Sequence, residues 1–308
     1  MHLPAPLRGI VPPLVTPLTA PDNLDGSGLH KLVERLIQAG CSAVFVLGTT
    51  GEAQALSYRL RLEVVRETCR SANGAIPVLA GVSDTSVVES IRFGEAAAEA
   101  GAAALVTSTP FYFRMGQSDL LRHIEMLARE LPLPLFLYNM PGLTKLWYEP
   151  ETVAAAAGIQ GVAGVKDSSG DLIYLQRVLR LVADKPNFTV FIGPEELLAQ
   201  ALSLGAHGGI PGGANLRPEL YVELFRAAST GCLKETLRLQ HRIMDLSERI
   251  YRVGDPATSY VRGLKCALGL QGICSDLPGA PLVPFTTEER ALIGAHLNAL
   301  SISSFSAW

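Results

Sequence analysis

The sequence has few charged residues and few aromatic ones, and its charges nearly cancel. Asp, Glu, Lys and Arg make up 18% of the 308 residues, Phe, Trp and Tyr make up 6%, and the formal net charge is -3. A chain without a basic surplus offers no electrostatic footprint for nucleic acid or for an anionic membrane. Apolar residues reach 48%, which predicts a large buried core and argues against disorder.

Cysteine is also scarce, and long apolar runs are missing. The five cysteines are scattered, and none forms a Cys-x-x-Cys pair. This odd set argues against a disulfide framework or a zinc site and favours a reducing compartment. Residues 1–6 lack a basic segment followed by an apolar one, and no run of about 18 apolar residues occurs, so neither a signal peptide nor a membrane span is expected. We therefore expect a cytoplasmic protein.

Three chemical signatures are absent as well. No Gly-x-Gly-x-x-Gly follows the first predicted strand, no Gly-x-Ser-x-Gly occurs, and the six histidines show no ligand spacing. These absences disfavour a dinucleotide-binding open sheet, an α/β-hydrolase and a metal site. We predict no metal ion and no bound cofactor.

Between residues 10 and 215 the sequence alternates short apolar runs with longer amphipathic ones. The apolar runs are rich in Val, Leu and Ile, which is typical of parallel strands buried on both faces. The eight predicted strands span 10–15, 43–47, 76–80, 103–107, 134–138, 161–166, 188–192 and 208–210. The helices predicted between them span 26–39, 57–72, 85–100, 117–131, 151–157, 171–183 and 194–204. Eight such units favour an α/β fold, the (β/α)8 TIM barrel, over a doubly wound open sheet.

After residue 217 the alternation stops. The sequence there predicts helices at 218–228, 234–253, 257–268 and 286–298. We divide the chain into a (β/α)8 barrel at 1–230 and a C-terminal helical region at 231–308 that packs on the barrel. The polar tail at 301–308 is expected to be loosely held.

The catalytic groups of a barrel come from the C-terminal ends of its strands. Lys166 ends the sixth predicted strand, where burial disfavours the ammonium form and an uncharged amine can form a Schiff base. Tyr138 ends the preceding strand and can transfer protons if Thr50 and Tyr112 supply a hydroxyl chain. The alternatives are a lysine that reaches solvent and a tyrosine that belongs to the core.

The second predicted strand ends in Gly48-Thr49-Thr50-Gly51-Glu52. Its small residues, free backbone N–H groups and two hydroxyls suit a carboxylate. The alternative is a β-to-α turn that needs glycine, with Glu52 as an acid favoured at a helix N-terminus. Gly212 and Gly213, after the last predicted strand, indicate a close backbone approach to the substrate or, alternatively, a phosphate site of an isomerase barrel.

Three motifs together resemble the dihydrodipicolinate synthase / N-acetylneuraminate lyase family of class I pyruvate-dependent aldolases. They are the 48–52 turn, Tyr138-Asn139-x-Pro141, and Gly164-Val165-Lys166-Asp167-Ser168-Ser169-Gly170. The resemblance runs from Gly9 to about residue 300. It implies that Lys166 forms a Schiff base with pyruvate or another 2-oxo acid, without a cofactor, and that Tyr138 transfers protons.

The resemblance also implies roles outside this pair. Thr49, Thr50 and the adjoining Gly51 bind the substrate α-carboxylate, and the backbone carbonyl of Ile210 faces the substrate. Tyr112 matches a tyrosine that reaches the active site of a neighbouring subunit to complete the hydroxyl chain. The family is typically a homotetramer, built as a dimer of dimers.

One position departs from the synthases of this family. There an arginine follows the Tyr-Asn-x-Pro motif by two positions and binds the carboxylate of aspartate semialdehyde. Leu143 stands at that position and cannot make a bidentate contact, although Lys145 and Arg114 are nearby cations. We expect a lyase that makes or breaks a C–C bond between pyruvate and an aldehyde, on a 2-keto-3-deoxy sugar acid or similar 2-oxo acid. The alternatives are a true 4-hydroxy-tetrahydrodipicolinate synthase, a keto-deoxy sugar acid dehydratase and a non-catalytic 2-oxo acid binder.

Overall fold

The computed structural model describes the backbone of residues 3–302 and the side chains of residues 3–300. Eight parallel strands, numbered here around the barrel, form one sheet: β1 Gly9–Ile10, β2 Val44–Val46, β3 Val78–Gly81, β4 Ala104–Ser108, β5 Leu135–Asn139, β6 Val162–Asp167, β7 Thr189–Ile192 and β8 Gly208–Gly209. Strand β1 pairs with β8, and a parallel bridge between Pro13 and Phe45 joins the chain after β1 to β2. The sheet therefore closes on itself, and the predicted TIM barrel is confirmed.

The helices alternate with the strands and then continue alone. They are α1 Gly26–Gln38, α2 Tyr58–Ala72, α3 Val87–Glu99, α4 Gln117–Glu130, α5 Pro141–Thr144, α6 Pro150–Ala156, α7 Leu172–Leu181, α8 Leu198–Ser203, α9 Pro218–Ser229, α10 Leu233–Ile250, α11 Ser259–Leu270 and α12 Thr287–Ile302. Helix α1 illustrates their design, because Asp25 caps it by accepting from the N–H of Gly28 at 2.9 Å. Its apolar residues recur at helical spacing and are buried against the barrel.

The predicted elements are all present, with differences at their ends. The first predicted strand, 10–15, is shorter because Pro12 and Pro13 have no N–H to donate to a sheet. The chain still joins β2 there, since Phe45 donates to the carbonyl of Pro12 at 2.9 Å and accepts from Leu14 at 2.8 Å. A hairpin of strands Leu18–Ala20 and Asn23–Leu24 and the short helix α5 are not in the prediction.

Two apolar cores result from the alternation along the strands. The inner core fills the barrel with inward-facing side chains, among them Val11, Phe45, Phe136 and Phe191. The outer core lies between the barrel and its helices. The inner core ends at Tyr138, which marks the C-terminal mouth where the predicted site residues lie.

The C-terminal helices pack on the barrel through polar as well as apolar contacts. Gln240 of α10 accepts from the N–H of Ala199 and donates to the carbonyl of Glu195, both at 2.9 Å. The boundary predicted between residues 230 and 231 stays a prediction, and the predicted loose tail lies largely outside the described residues. No helix within residues 3–302 is long and apolar enough to cross a membrane.

Candidate active site

Lys166 and Tyr138 lie side by side at the mouth of the barrel. They are register partners on β6 and β5, and their side chains are only 4% and 7% exposed. The Lys166 amine lies 4.1 Å from the centre of the Tyr138 ring and 5.3 Å from that of Phe45. Both residues point inward because side chains alternate along a strand. The amine is thus held between two aromatic rings, away from bulk water.

The residues that follow this pair fix the two strand ends from the outside. Asn139 donates to the carboxylate of Asp167 at 2.9 Å, and its carbonyl oxygen accepts from the N–H of Tyr148 at 3.1 Å. Ser169 donates to the same carboxylate from its backbone N–H and its hydroxyl. Burial raises the pKa of Asp167 to about 6, against the effect of these hydrogen bonds. This polar network holds β5 and β6 in register behind Lys166 and Tyr138.

The hydroxyl of Tyr138 has a hydrogen-bonding partner in the turn after β2. It lies 3.2 Å from the hydroxyl of Thr49. Burial alone would raise the pKa of Tyr138, but the nearby charge of Lys166 and hydrogen bonds from Thr49, Ser168 and Lys166 outweigh it and lower that pKa. A phenol that gives up its proton more readily is suited to general acid–base catalysis.

The structure corrects the predicted hydroxyl chain. Thr49, and not Thr50, contacts Tyr138, while the hydroxyl of Thr50 lies 3.0 Å from that of Tyr260 on α11. Within the described residues, no hydrogen bond uses the backbone N–H of Thr49 or Thr50. A Cβ at Gly51 would lie 3.0 Å from the carbonyl oxygen of Leu14, so glycine lets the turn pass close to that backbone. The turn after β2 therefore presents two adjacent free donors beside Tyr138.

Ile210 and Tyr112 are the remaining predicted site residues, and they differ in burial. Ile210 follows β8, is buried in the inner core with Tyr138, and donates its N–H to the carbonyl of Ile192 at 2.8 Å. Tyr112 is 78% exposed and packs edge-to-face on Phe113, with ring centres 5.3 Å apart. One subunit thus brings together Lys166, Tyr138 and Thr49 and leaves Tyr112 on its surface.

A cavity of about 280 Å³ lies over the ends of β2 to β5. Its polar lining comes from Thr49, Gln54, Ser83, Ser108, Tyr138 and Thr144, and its apolar lining includes Phe45, Val106, Phe111, Met140 and Leu143. No Lys or Arg of the described chain lines it. Lys145 donates instead to the carbonyl of Gly142 at 2.5 Å, and Arg114 is exposed. The cavity beside Lys166 and Tyr138 is rich in hydroxyls and lacks a cationic side chain.

Two residues near the mouth, Tyr260 and Glu195, are not among the predicted site residues. Tyr260 lies on a C-terminal helix, and nothing in its local sequence marks it. Glu195 follows the end of β7, where the strand-end rule could have found it. It is 3% exposed and accepts from Gly213 at 2.8 Å, Tyr221 at 2.6 Å and Tyr251 at 2.8 Å. Burial raises the pKa of Glu195 to about 7.

Among residues 3–302, no group of three or more His, Cys, Asp or Glu side chains is arranged to hold a metal ion. The predicted absence of metal and cofactor stays a prediction.

Comparison with known proteins places this fold and site in one family. The model of the dihydrodipicolinate synthetase family matches residues 6–300. A 4-hydroxy-tetrahydrodipicolinate synthase of Methanopyrus kandleri is 32% identical over 300 residues, which cover 96% of this chain and 97% of that protein. The structure of dihydrodipicolinate synthase from Bacteroides thetaiotaomicron matches with a TM-score of 0.94 and 50% identity, over 96% of this chain and 100% of that one.

A third matching protein was solved with a bound ligand. A prophage protein of this family from E. coli K12, solved in complex with pyruvate, matches with a TM-score of 0.90 and 29% identity over 96% of this chain and 98% of that one. The chain belongs to the dihydrodipicolinate synthetase family and is a pyruvate-dependent lyase of that family.

Proposed function

We propose that this lyase is a Schiff-base aldolase that cleaves or forms the C–C bond between pyruvate and an uncharged aldehyde, with a 2-keto-3-deoxy sugar acid as its cleavage substrate. The observation that carries the proposal is the placement of the Lys166 amine between the rings of Tyr138 and Phe45, with Thr49 hydrogen-bonded to Tyr138. An amine shielded from water beside a phenol provides a nucleophile and a proton-transfer group in one site.

In the cleavage direction, the amine of Lys166 attacks the keto carbon, and loss of water from the carbinolamine leaves a protonated imine. This cation accepts the electron pair released when the C3–C4 bond breaks and the proton leaves the C4 hydroxyl. The products are an aldehyde and the enamine of pyruvate, which is protonated at C3 and hydrolysed from Lys166. We assign the movement of these protons to Tyr138 and their onward transfer to Thr49, since the two hydroxyls lie 3.2 Å apart.

The turn after β2 supports binding of the carboxylate that every such substrate carries. Thr49 and Thr50 offer adjacent backbone N–H groups, and Gly51 lets the turn pass close to the backbone of Leu14 and Leu47. We assign Ile210 to the side of the substrate opposite this turn, because Ile210 belongs with Tyr138 to the inner core. Tyr112 would act in a neighbouring subunit, since its side chain is 78% exposed.

The cavity lining supports an uncharged aldehyde portion. Ser83, Ser108 and Thr144 can bind the hydroxyls of a sugar chain, whereas a carboxylate there would find no cationic side chain from this subunit. Leu143, 59% exposed, lies at the rim of the cavity.

A second candidate is 4-hydroxy-tetrahydrodipicolinate synthase, which condenses pyruvate with aspartate semialdehyde. The observation in its favour is similarity, since the matching proteins from M. kandleri and B. thetaiotaomicron carry that activity in their names. The apolar Leu143 and the uncharged cavity count against it. A dehydratase of a keto-deoxy sugar acid would use the same Schiff base and break a C–O bond instead.

Two linked measurements test the proposal. Borohydride in the presence of pyruvate is expected to add a reduced pyruvate to the Lys166 peptide, as seen by mass spectrometry, and Lys166→Arg is expected to prevent it. Wild-type protein without this adduct would refute the Schiff base. Pyruvate release from a panel of 2-keto-3-deoxy sugar acids is then compared with pyruvate consumption beside aspartate semialdehyde. Consumption alone would favour the synthase, and trapping without turnover would favour a 2-oxo acid binder.

The exposed apolar residues support a homotetramer, which we propose as the assembly. Tyr112 and Phe113 are 78% and 71% exposed on the loop after β4. A second surface combines Ile173 of α7 with Leu233 and Leu237 of α10, which are 72%, 62% and 44% exposed. Two separate apolar surfaces are what a dimer of dimers needs for two kinds of contact.

A further inference from the structure

We infer that Tyr260, from the C-terminal helical region, is a positioning residue for the turn that receives the substrate carboxylate, and that it acts through Thr50. This inference rests on the proposed function. Its starting observation is the hydrogen bond between the hydroxyls of Thr50 and Tyr260, 3.0 Å apart. Thr50 is 4% exposed, so no competing water shell surrounds its side chain.

Tyr260 is itself held rigidly in place. Its ring packs edge-to-face on Tyr251, with ring centres 4.8 Å apart. The hydroxyl of Tyr260 lies so close to Gly212 that a Cβ there would come within 1.7 Å of it. The phenol is therefore wedged between the turns that follow β2 and β8.

The same helix holds the far end of the turn. Lys265 of α11 donates to the carboxylate of Glu52 at 2.5 Å, and the other carboxylate oxygen accepts from the N–H of Gly279 at 2.7 Å. Tyr260 and Lys265 thus bind the turn at Thr50 and at Glu52. The free N–H groups of Thr49 and Thr50 lie at the N-terminal end of this anchored segment.

This arrangement predicts an effect on affinity more than on chemistry. Thr50 bonds to Tyr260 and Thr49 bonds to Tyr138, so Tyr260 makes no hydrogen bond to the proton-transferring pair of Lys166 and Tyr138. Fixing one rotamer of Thr50 fixes the backbone around it. A carboxylate site that is already ordered loses less conformational entropy when the substrate binds. Removing the hydroxyl of Tyr260 should therefore weaken pyruvate binding and leave the rate at saturation unchanged.

The test measures the initial rate of borohydride trapping on Lys166 as a function of pyruvate concentration. For Tyr260→Phe we expect the half-saturating concentration to rise about three- to tenfold, the value of one net hydrogen bond, with an unchanged maximal rate. Thr50→Val breaks the same bond from the barrel side and should raise the half-saturating concentration likewise, while Thr50→Ser restores a hydroxyl and should recover most of that loss. The double variant Tyr260→Phe/Thr50→Val should be no worse than the poorer single variant.

The matched control is Tyr251→Phe, which removes a hydroxyl from the same aromatic pair without touching Thr50. Its half-saturating concentration should stay within about twofold of wild type, because only the bond to Glu195 is lost. An unchanged half-saturation in Tyr260→Phe or Thr50→Val, or additive effects in the double variant, would overturn the inference while wild-type trapping still supports the aldolase. Absence of trapping in wild type would overturn both.

Discussion

Two neighbouring threonines in the turn after β2 form hydrogen bonds with two different tyrosines. Thr49 reaches Tyr138 at 3.2 Å, and Thr50 reaches Tyr260 at 3.0 Å. The sequence could not separate them, because both residues have the same side chain and lie in the same turn. Their difference comes from the tertiary structure, where one faces the cavity and the other faces α11.

This division predicts that the two threonines have different kinetic roles. Thr49→Val should slow the exchange of the pyruvate methyl protons with D2O roughly 10- to 100-fold, because Tyr138 loses its partner in proton transfer. Proton NMR follows this exchange without any aldehyde, since the enamine of pyruvate already requires it. Thr49→Ser, which keeps the hydroxyl, is the control and should retain most of the rate. Exchange in Thr49→Val within about twofold of wild type would argue against Thr49 in proton transfer.

At the scale of elements, the periodicity of apolar residues predicts the barrel, and single residues explain where strand ends differ from the prediction. Strands β4 to β7 lie within a residue or two of their predicted ends, because their runs of Val, Leu and Ile leave little choice. The prediction fails where composition is atypical, as at Pro12 and Pro13, which shorten β1.

The sequence could predict only those site residues that lie at or next to the ends of strands. Lys166 and Tyr138 could be found because barrel geometry places their strand ends together. Tyr260 and Lys265 could not, since helical periodicity does not tell which turn of a barrel a later helix will cover. Their contribution depends on how α11 packs, with more than 200 residues between the partners of each contact.

The contact of α11 with the turn predicts a large effect on stability. Lys265 and Glu52 form an ion pair at 2.5 Å with side chains 0% and 5% exposed, and burial lowers the pKa of Lys265 against the attraction of Glu52. Lys265→Met should lower the free energy of unfolding by about 3–5 kcal/mol, because it leaves a buried carboxylate unpaired. Urea unfolding at neutral pH measures this value.

Two further variants make the result specific. The double variant Lys265→Met/Glu52→Gln should recover part of the loss, since no charge is then stranded. Arg238→Met, in the exposed pair with Glu235 (45% and 41% exposed), should cost about 0–1 kcal/mol. If Lys265→Met costs no more than Arg238→Met, the buried pair does not anchor the turn.

At the scale of the whole molecule, the described chain leaves Tyr112, a residue of the predicted hydroxyl chain, on its surface. The loop that carries Tyr112 and Phe113 extends from the barrel mouth, and Phe111 beside it lines the cavity. A stable interface buries about 800 Å² on each partner. A contact of that size around this loop would also bring the partner's Tyr112 toward Tyr138. Assembly and catalysis would then depend on one loop, while the surface of α7 and α10 would serve a second contact.

The proposed assembly predicts that these two contacts can be separated. Ile173→Glu places a charge in the middle of the surface formed with Leu233 and Leu237 and should convert a tetramer into a dimer that keeps its Tyr112 contact and most of its activity. Multi-angle light scattering after gel filtration measures the mass, and pyruvate methyl exchange measures the activity. Leu292→Glu on α12, where Leu292 is 46% exposed and lies outside both surfaces, is the control and should leave the mass unchanged. A wild-type monomer at micromolar concentration would contradict the assembly, and an inactive Ile173→Glu dimer would assign the second surface a role in the site itself.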